Sequence, residues 1–294
     1  MLVRQQGFSD AELDRFRSLQ RLSFRILEET AAGLAQGCTE QEVGRALVKR
    51  YRAEGVRSFF HLPVVLFGER TALPGRWTLG HFYPRPRALA PGDAVILDAS
   101  PIFGGYLVDT SYSFCFGEDD EHRRMMRDLS RFRADVCDAV NEGRRFSEIA
   151  VDVAAELVSR GYEPVHRKHP GEVLGHRALR VPELPFTWRL RGFDGASLGW
   201  FLAMGRAASA GLVRGAPTWN QRRTSDHPPL DGLWLVEPHA GRGAIGAKWE
   251  EILVVQDGRA RWLDDETPNV RQWRRIEAGL SYGPEPDRLE RSPA

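Results

Sequence analysis

The chain has 294 residues, of which 42% are hydrophobic and 28% charged, with a formal net charge of +1. This is an ordinary globular composition with room for one large domain or two small ones, and the near-zero charge excludes a nucleic-acid or membrane-surface binder driven by bulk electrostatics. There is no apolar run long enough to span a bilayer, and MLVRQQGFSDAELDRF carries no secretory core. Three widely spaced cysteines, Cys38, Cys115 and Cys137, argue against a disulfide framework and for a reducing, cytoplasmic setting.

Ser9 with Glu12 reads as a capping box opening a long amphipathic helix to about Leu34. Thr39 with Glu42 repeats the signature and opens a helix that ends near Gly55. Apolar, strand-like runs follow: SFFHLPVVLF, AVILDAS and YLVDTSYSFCF. A second pair of helices is predicted over about Asp119–Asn141 and Ser147–Arg160. The segment up to Trp234 shows no clear period, and the strand pattern returns in LWLVEP, WEEILVV and RARWL. The charged, proline-containing tail from Asp265 to Ala294 is expected to pack loosely.

GCTEQEVGRALVKRYRAEG and GRRFSEIAVDVAAELVSRG align without a gap, with Gly37, Glu42, Val43 and Gly55 falling on Gly143, Glu148, Ile149 and Gly161. Each copy follows a long helix and precedes strands that carry two acidic residues, Asp98 and Asp109 in the first half, Glu237 and Glu250 in the second. The repeated order of two helices then strands predicts a pseudo-symmetric α+β domain over residues 1–264, its helices covering a curved antiparallel sheet.

Four of these carboxylates end or interrupt apolar runs, and His176 follows a glycine in VLGHR. Taken singly, an Asp in a β-rich stretch is an ordinary turn or edge residue. A carboxylate buried in AVILD or LWLVEP without a partner would instead cost several kcal/mol. Together, four carboxylates and one imidazole suit two divalent cations, because hard oxygen ligands neutralise the charge and can bridge, and imidazole adds a borderline donor. Of the adjacent Glu250 and Glu251, strand alternation sends one to each face.

These segments resemble the pita-bread metallohydrolases: methionine aminopeptidase, Xaa-Pro aminopeptidase, prolidase and the metal-free creatinase. The likeness runs from about Leu19 to Leu263. GCTEQEV is similar to PG-T-E-x-E, PGDAVILDAS to GD-x-v-x-x-D, and GGYLVDTSYSFCFG to Y-x-x-D-x-(ST)-x-T-F. VLGHR is similar to the segment with the metal-binding His, LVEP to the EP segment, and AKWEEILVV to R-(IV)-E-D-x-(VIL)-x-V, whose register selects Glu250.

The resemblance implies that Asp98 chelates one metal, that Asp109 and Glu250 bridge two, and that His176 and Glu237 complete the second ion's sphere. It further implies a hydroxide between the ions as the attacking group, with Glu237 shuttling a proton. His81, in GHFYPRPRALAPGD, stands where the family keeps a substrate-contacting His; the alternative is a surface His beside a Pro-rich turn.

The chain departs from the family in two places. Where the family writes G-H-G-I-G and then a second His, this sequence reads GHRALRVPELPF, with Pro182 or Glu183 at the second His position. His239, His169 and His227 are the candidates to replace it. An insertion from about Phe186 to Asp231 holds Trp188, Trp200, Phe201 and Trp219 and the arginines Arg189, Arg191, Arg206, Arg214, Arg222 and Arg223. Such a segment is expected to form a lid, a substrate wall, a subunit contact or a decorated surface loop, and its guanidinium groups match a substrate carboxylate. TALPGRWTLGHFYP is unlike the methionine-pocket segment of methionine aminopeptidase, which weighs against initiator-methionine removal.

The reading expected from the sequence is therefore a cytoplasmic dinuclear metallohydrolase, Xaa-Pro peptidase-like, that cleaves a C–N amide bond in a small peptide. Mn is the first expectation for the metal, and Co, Fe and Zn fit the same ligands. Two rival readings keep the fold: the same centre acting on a non-peptide small molecule, and a non-catalytic binding module. Neither nucleic acid nor membrane is expected as a partner, and homodimerisation follows from family habit alone.

Overall fold

The computed structural model describes residues 3–76, 78–182, 189–190 and 192–284. Helices Asp10–Ala32 and Glu40–Ala53 begin at the two capping boxes. Glu12 N donates to Ser9 Oγ while Ser9 N donates to Glu12 Oε2, and Thr39 and Glu42 repeat the exchange. Each box satisfies two backbone donors that a helix start would leave unpaired. The second pair, Asp120–Asn141 and Phe146–Ser159, lies within one residue of its predicted bounds, with Asp119 capping the first of the two through His122 N at 2.7 Å.

Three antiparallel sheets carry the site. Five strands run in the order Thr218–Trp219, Gly175–Arg177, Gly232–Val236, Glu251–Gln256 and Arg259–Trp262. Ala94–Ala99 lies between Val64–Phe67 and Thr110–Cys115 in the second. His239–Arg242 lies between Ile245–Lys248 and Glu163–Pro164 in the third. A bridge between Ser111 and Glu250 joins the first-half strands to the second-half ones.

The first helix pair buries Phe16, Leu27, Leu47 and Tyr51 against Val95 and Leu97. The second buries Leu129, Phe132 and Leu157 against Trp234 and Trp249. This is the duplicated α+β order expected from the repeat. It leaves the site where the two sets of strands meet, between two separately packed cores.

One expectation, that of a loosely packed tail, is corrected. The tail does not simply fray: Thr267 caps a helix over Pro268–Glu277, and Val270, Trp273 and Ile276 are buried against the second core. Residues 285–294 lie outside the described residues. The insertion is largely ordered: Arg189–Leu190 pairs with Phe193–Asp194, and Asp194 caps a helix over Gly195–Ser209 through Ser197 N at 2.8 Å. Trp219 stacks on Phe146 at 3.8 Å, which makes it a core residue, whereas Trp188 and Arg191 lie outside the described residues.

The glycine before His176 has a packing cause. A Cβ at Gly175 would stand 2.3 Å from the Leu235 carbonyl oxygen, so only glycine lets these strands close. Gly175→Ala is expected to lower the unfolding free energy by about 1–3 kcal/mol, the usual cost of overpacking a core, as read by urea denaturation; an unchanged midpoint would contradict this account.

Candidate metal centre

Strand register assembles the five predicted residues. Asp98 pairs with Ser111, which places Asp98 and Asp109 near one end of the second sheet. His176 pairs with Leu235 and Val236 with Glu251, so Glu237 and Glu250 emerge beside His176. All five are buried, with Asp109 and Glu250 each only 1% exposed. His176 Nε2 lies 3.5 Å from both Asp109 Oδ2 and Glu250 Oε1. Glu251, as alternation required, faces away, held by Arg133, Thr267 and Asn269.

His81 is not brought to this cluster. It is half-buried, its Nδ1 lies 3.0 Å from Thr78 Oγ1, and it does not line the cavity over the site. Another imidazole takes a place there: His61 Nε2 lies 3.3 Å from Asp109 Oδ2 and 3.6 Å from Asp98 Oδ1. The sequence signal for His61 was an ionisable group inside the apolar run SFFHLPVVLF.

Lys248 is a second addition. Its Nζ reaches Asp98 Oδ2 at 2.5 Å, Glu237 Oε2 at 2.8 Å and Glu250 Oε2 at 3.0 Å.

Of the three replacement imidazoles, two reach the site. His169 Nδ1 lies 3.1 Å from Glu237 Oε2, and its Nε2 lies 3.0 Å from His239 Nδ1. His239 Nε2 lies 2.7 Å from the Thr71 carbonyl oxygen, which can only accept. The partners fix the tautomers: His239 donates through Nε2 and accepts at Nδ1, and His169 donates through Nε2. His169 Nδ1 then faces Glu237 Oε2. His227 lies elsewhere, packed on Phe146 with its Nδ1 against the Pro228 carbonyl.

The electrostatics follow from crowding. Burial, then repulsion from Asp109, pushes Glu250 up to about 8, and burial also raises Asp98. Burial opposes ionisation of Asp109 too, but His61 and His176 outweigh it and hold its carboxyl well below the usual range. Burial pulls both imidazoles down, yet the carboxylates carry His61 to about 9 and His176 to about 10. Burial disfavours the Lys248 ammonium, and Asp98 with Glu237 and Glu250 reverses the sign.

The donor set fits a divalent metal. Asp98 Oδ1, both Asp109 oxygens and both Glu250 oxygens are buried without an aligned hydrogen-bond donor, although His61, His176 and Lys248 lie within ion-pair range of several of them. Buried oxygens left in that state need a cation. Two groups have converging donor atoms, His61–Asp98–Asp109 and Asp109–His176–Glu250.

Asp109, His176, Glu237, His61 and Lys248 open onto a cavity of about 960 Å³ walled largely by apolar side chains, with Asp98 and Glu250 behind them. Phe60 packs at a tilt against His176, at 5.4 Å, and Phe201, at 4.8 Å, and the insertion helix contributes Phe201, Leu202 and Arg206 to the wall.

An uncharacterized peptidase of Staphylococcus saprophyticus is 25% identical over 171 residues, 58% of this chain and 45% of that protein, so the chain spans less than half the relative's length. The X-Pro aminopeptidase of Thermotoga maritima superposes with a TM-score of 0.61 at 19% identity, over 88% of this chain and 62% of that one. The methionine aminopeptidase of Rickettsia prowazekii gives 0.58 at 14% identity, over 88% of this chain and 99% of that one. These likenesses carry the fold, which is the pita-bread one. The sequence profile of metallopeptidase family M24 matches residues 14–202, more than half of the chain, and the chain therefore belongs to metallopeptidase family M24.

Proposed function

We propose that this protein is a metal-dependent hydrolase that cleaves a C–N amide bond in a small peptide or peptide-like substrate. The observation that carries this reading is the set of buried carboxylate oxygens without aligned donors on Asp98, Asp109 and Glu250, gathered about His176, with Asp109 and His176 opening onto a cavity large enough for a substrate. A bound divalent ion supplies Lewis acidity, which polarises a carbonyl and lowers the pKa of water. Oxygen-rich donors with imidazole suit Mn, and Co, Fe and Zn are accepted by the same set. The free thiols Cys38, Cys115 and Cys137 support a reducing, cytoplasmic setting. Among the described residues, no helix is long and apolar enough to cross a membrane.

The chain's own groups divide the remaining work. Asp109, Glu250 and His176 would hold metal. Glu237 Oε2 lies 3.1 Å from His169 Nδ1, so the carboxylate, backed by the imidazole, can take a proton from water and return it to the departing nitrogen. His239 and the Thr71 carbonyl keep the His169 ring aimed at Glu237. Phe60, Phe82 and Phe201 exclude water and strengthen every charge interaction on the floor. Xaa-Pro peptides are the first substrates to try, by likeness to the X-Pro aminopeptidase.

A second reading keeps the chemistry and changes the substrate to a bulkier non-peptide amide. The aromatic wall and the cavity's size favour it over a minimal dipeptide. Arg206, at the exposed end of the helical wall, fits a substrate carboxylate.

Glu250→Ala should lose both bound Mn and amide hydrolysis; turnover retained by metal-depleted protein would defeat the reading. His169→Ala should lower activity or metal affinity by about 10–100-fold, as expected when an outer partner of a site carboxylate is removed, with the far-ultraviolet circular dichroism unchanged. Across a panel running from Ala-Pro to N-acyl and aromatic amides, Phe201→Ala should raise KM roughly 10-fold for bulky substrates and little for Ala-Pro; equal effects on both would remove the second reading.

A further inference from the structure

Three of the four site carboxylates already share a cation. Lys248 Nζ stands within 3.0 Å of one oxygen each from Asp98, Glu237 and Glu250, and of the four carboxylates only Asp109 is not among its close partners. The backbone that carries the ammonium is fixed on all sides, while the side chain borders the cavity. Lys248 is 3% exposed, its Cα is paired with His239, and Ser113 Oγ grips its backbone at both N and O, at 2.9 and 2.5 Å. Where the related segment R-(IV)-E-D begins with a planar guanidinium, this chain has a compact point charge on a shorter stem. A metal ion closing on the same three oxygens would meet the ammonium at contact distance, and two such cations cannot share one set of acceptors.

We infer that Lys248 takes the place of one of the two metal ions expected from the sequence, so that the centre binds a single divalent ion, seated on Asp109, His176 and Glu250. This rests on the metal-dependent reading above and refines it. The triad donors fit one ion: Asp109, His176 and Glu250 converge within reach of a common point, and the Asp109 and Glu250 oxygens lack aligned donors. Glu237, drawn to Lys248 and His169, is released from ligation to the proton step. The Asp98 Oδ1–His61 contact then closes the far side of Asp109 as an ion pair.

The test uses the purified full chain, metal-depleted and titrated with Mn2+, with bound metal counted by elemental analysis and magnetic coupling between ions read by electron paramagnetic resonance. The expected result is one Mn per chain with an uncoupled six-line spectrum even at excess metal, rising to two per chain in Lys248→Met. Two ions with a coupled spectrum in the unaltered protein would overturn the inference while leaving the metal-dependent reading intact. Loss of one of those two in His61→Ala would assign it to the His61–Asp98–Asp109 group. One ion in both the unaltered protein and Lys248→Met would also overturn it, because the ammonium would not be what excludes the second. No bound Mn in the unaltered protein would overturn the metal-dependent reading itself. If Lys248→Met fails to fold, the stoichiometry and spectrum of the unaltered protein still decide between one ion and two.

Discussion

Four carboxylates held together out of water define this molecule. Two unit charges of like sign about 4 Å apart repel by about 4 kcal/mol at the effective dielectric of a protein near its surface, and Asp98, Asp109, Glu237 and Glu250 are all buried. Such a group is kept only where cations or protons offset its charge. The surroundings are arranged to provide them: Lys248 against three of the four, His61 and His176 on Asp109, and His169 on Glu237. The same arrangement leaves five carboxylate oxygens without aligned donors, which is the opening a metal ion needs.

The duplicated architecture serves this crowding. Each helix pair packs in its own core, strands Gly232–Val236 and Glu251–Gln256 present one face to each core, and the acidic residues emerge near the join, where the Ser111–Glu250 bridge links the halves. Errors of register there would be costly, because a one-residue slip turns each side chain to the other face. Gly175 and the Ser113 grip on Lys248 act against such slips, the first by permitting close strand approach and the second by fixing one backbone position through both its polar groups. Function and fold therefore draw on the same contacts.

Much of this was legible in the sequence. The capping boxes mark the first two helices because they satisfy backbone donors locally, with no help from distant chain. Asp98, Asp109, Glu237 and Glu250 stand out because a charge in an apolar run demands a partner. Lys248, beside Trp249, and His61, inside the run SFFHLPVVLF, carry the same signal, and only the third dimension shows what they face. His81 sits at a suitable distance from Asp98 along the chain, and chain distance is not contact. The Gly195–Ser209 helix was hidden by Gly199 and Gly205 and by apolar residues on more than one side, so it lacks the period of a half-buried helix. The Pro268–Glu277 helix was hidden by its many arginines, although Val270, Trp273 and Ile276 supply a buried stripe.

The most direct measurement of the account is a crystal structure of the full chain grown with Mn2+, with anomalous differences collected at the manganese edge. The account predicts one anomalous peak, bounded by Asp109, His176 and Glu250, with Lys248 Nζ still against Asp98 and Glu237. Density with no peak among these carboxylates, or with Lys248 displaced by a second ion, would contradict it.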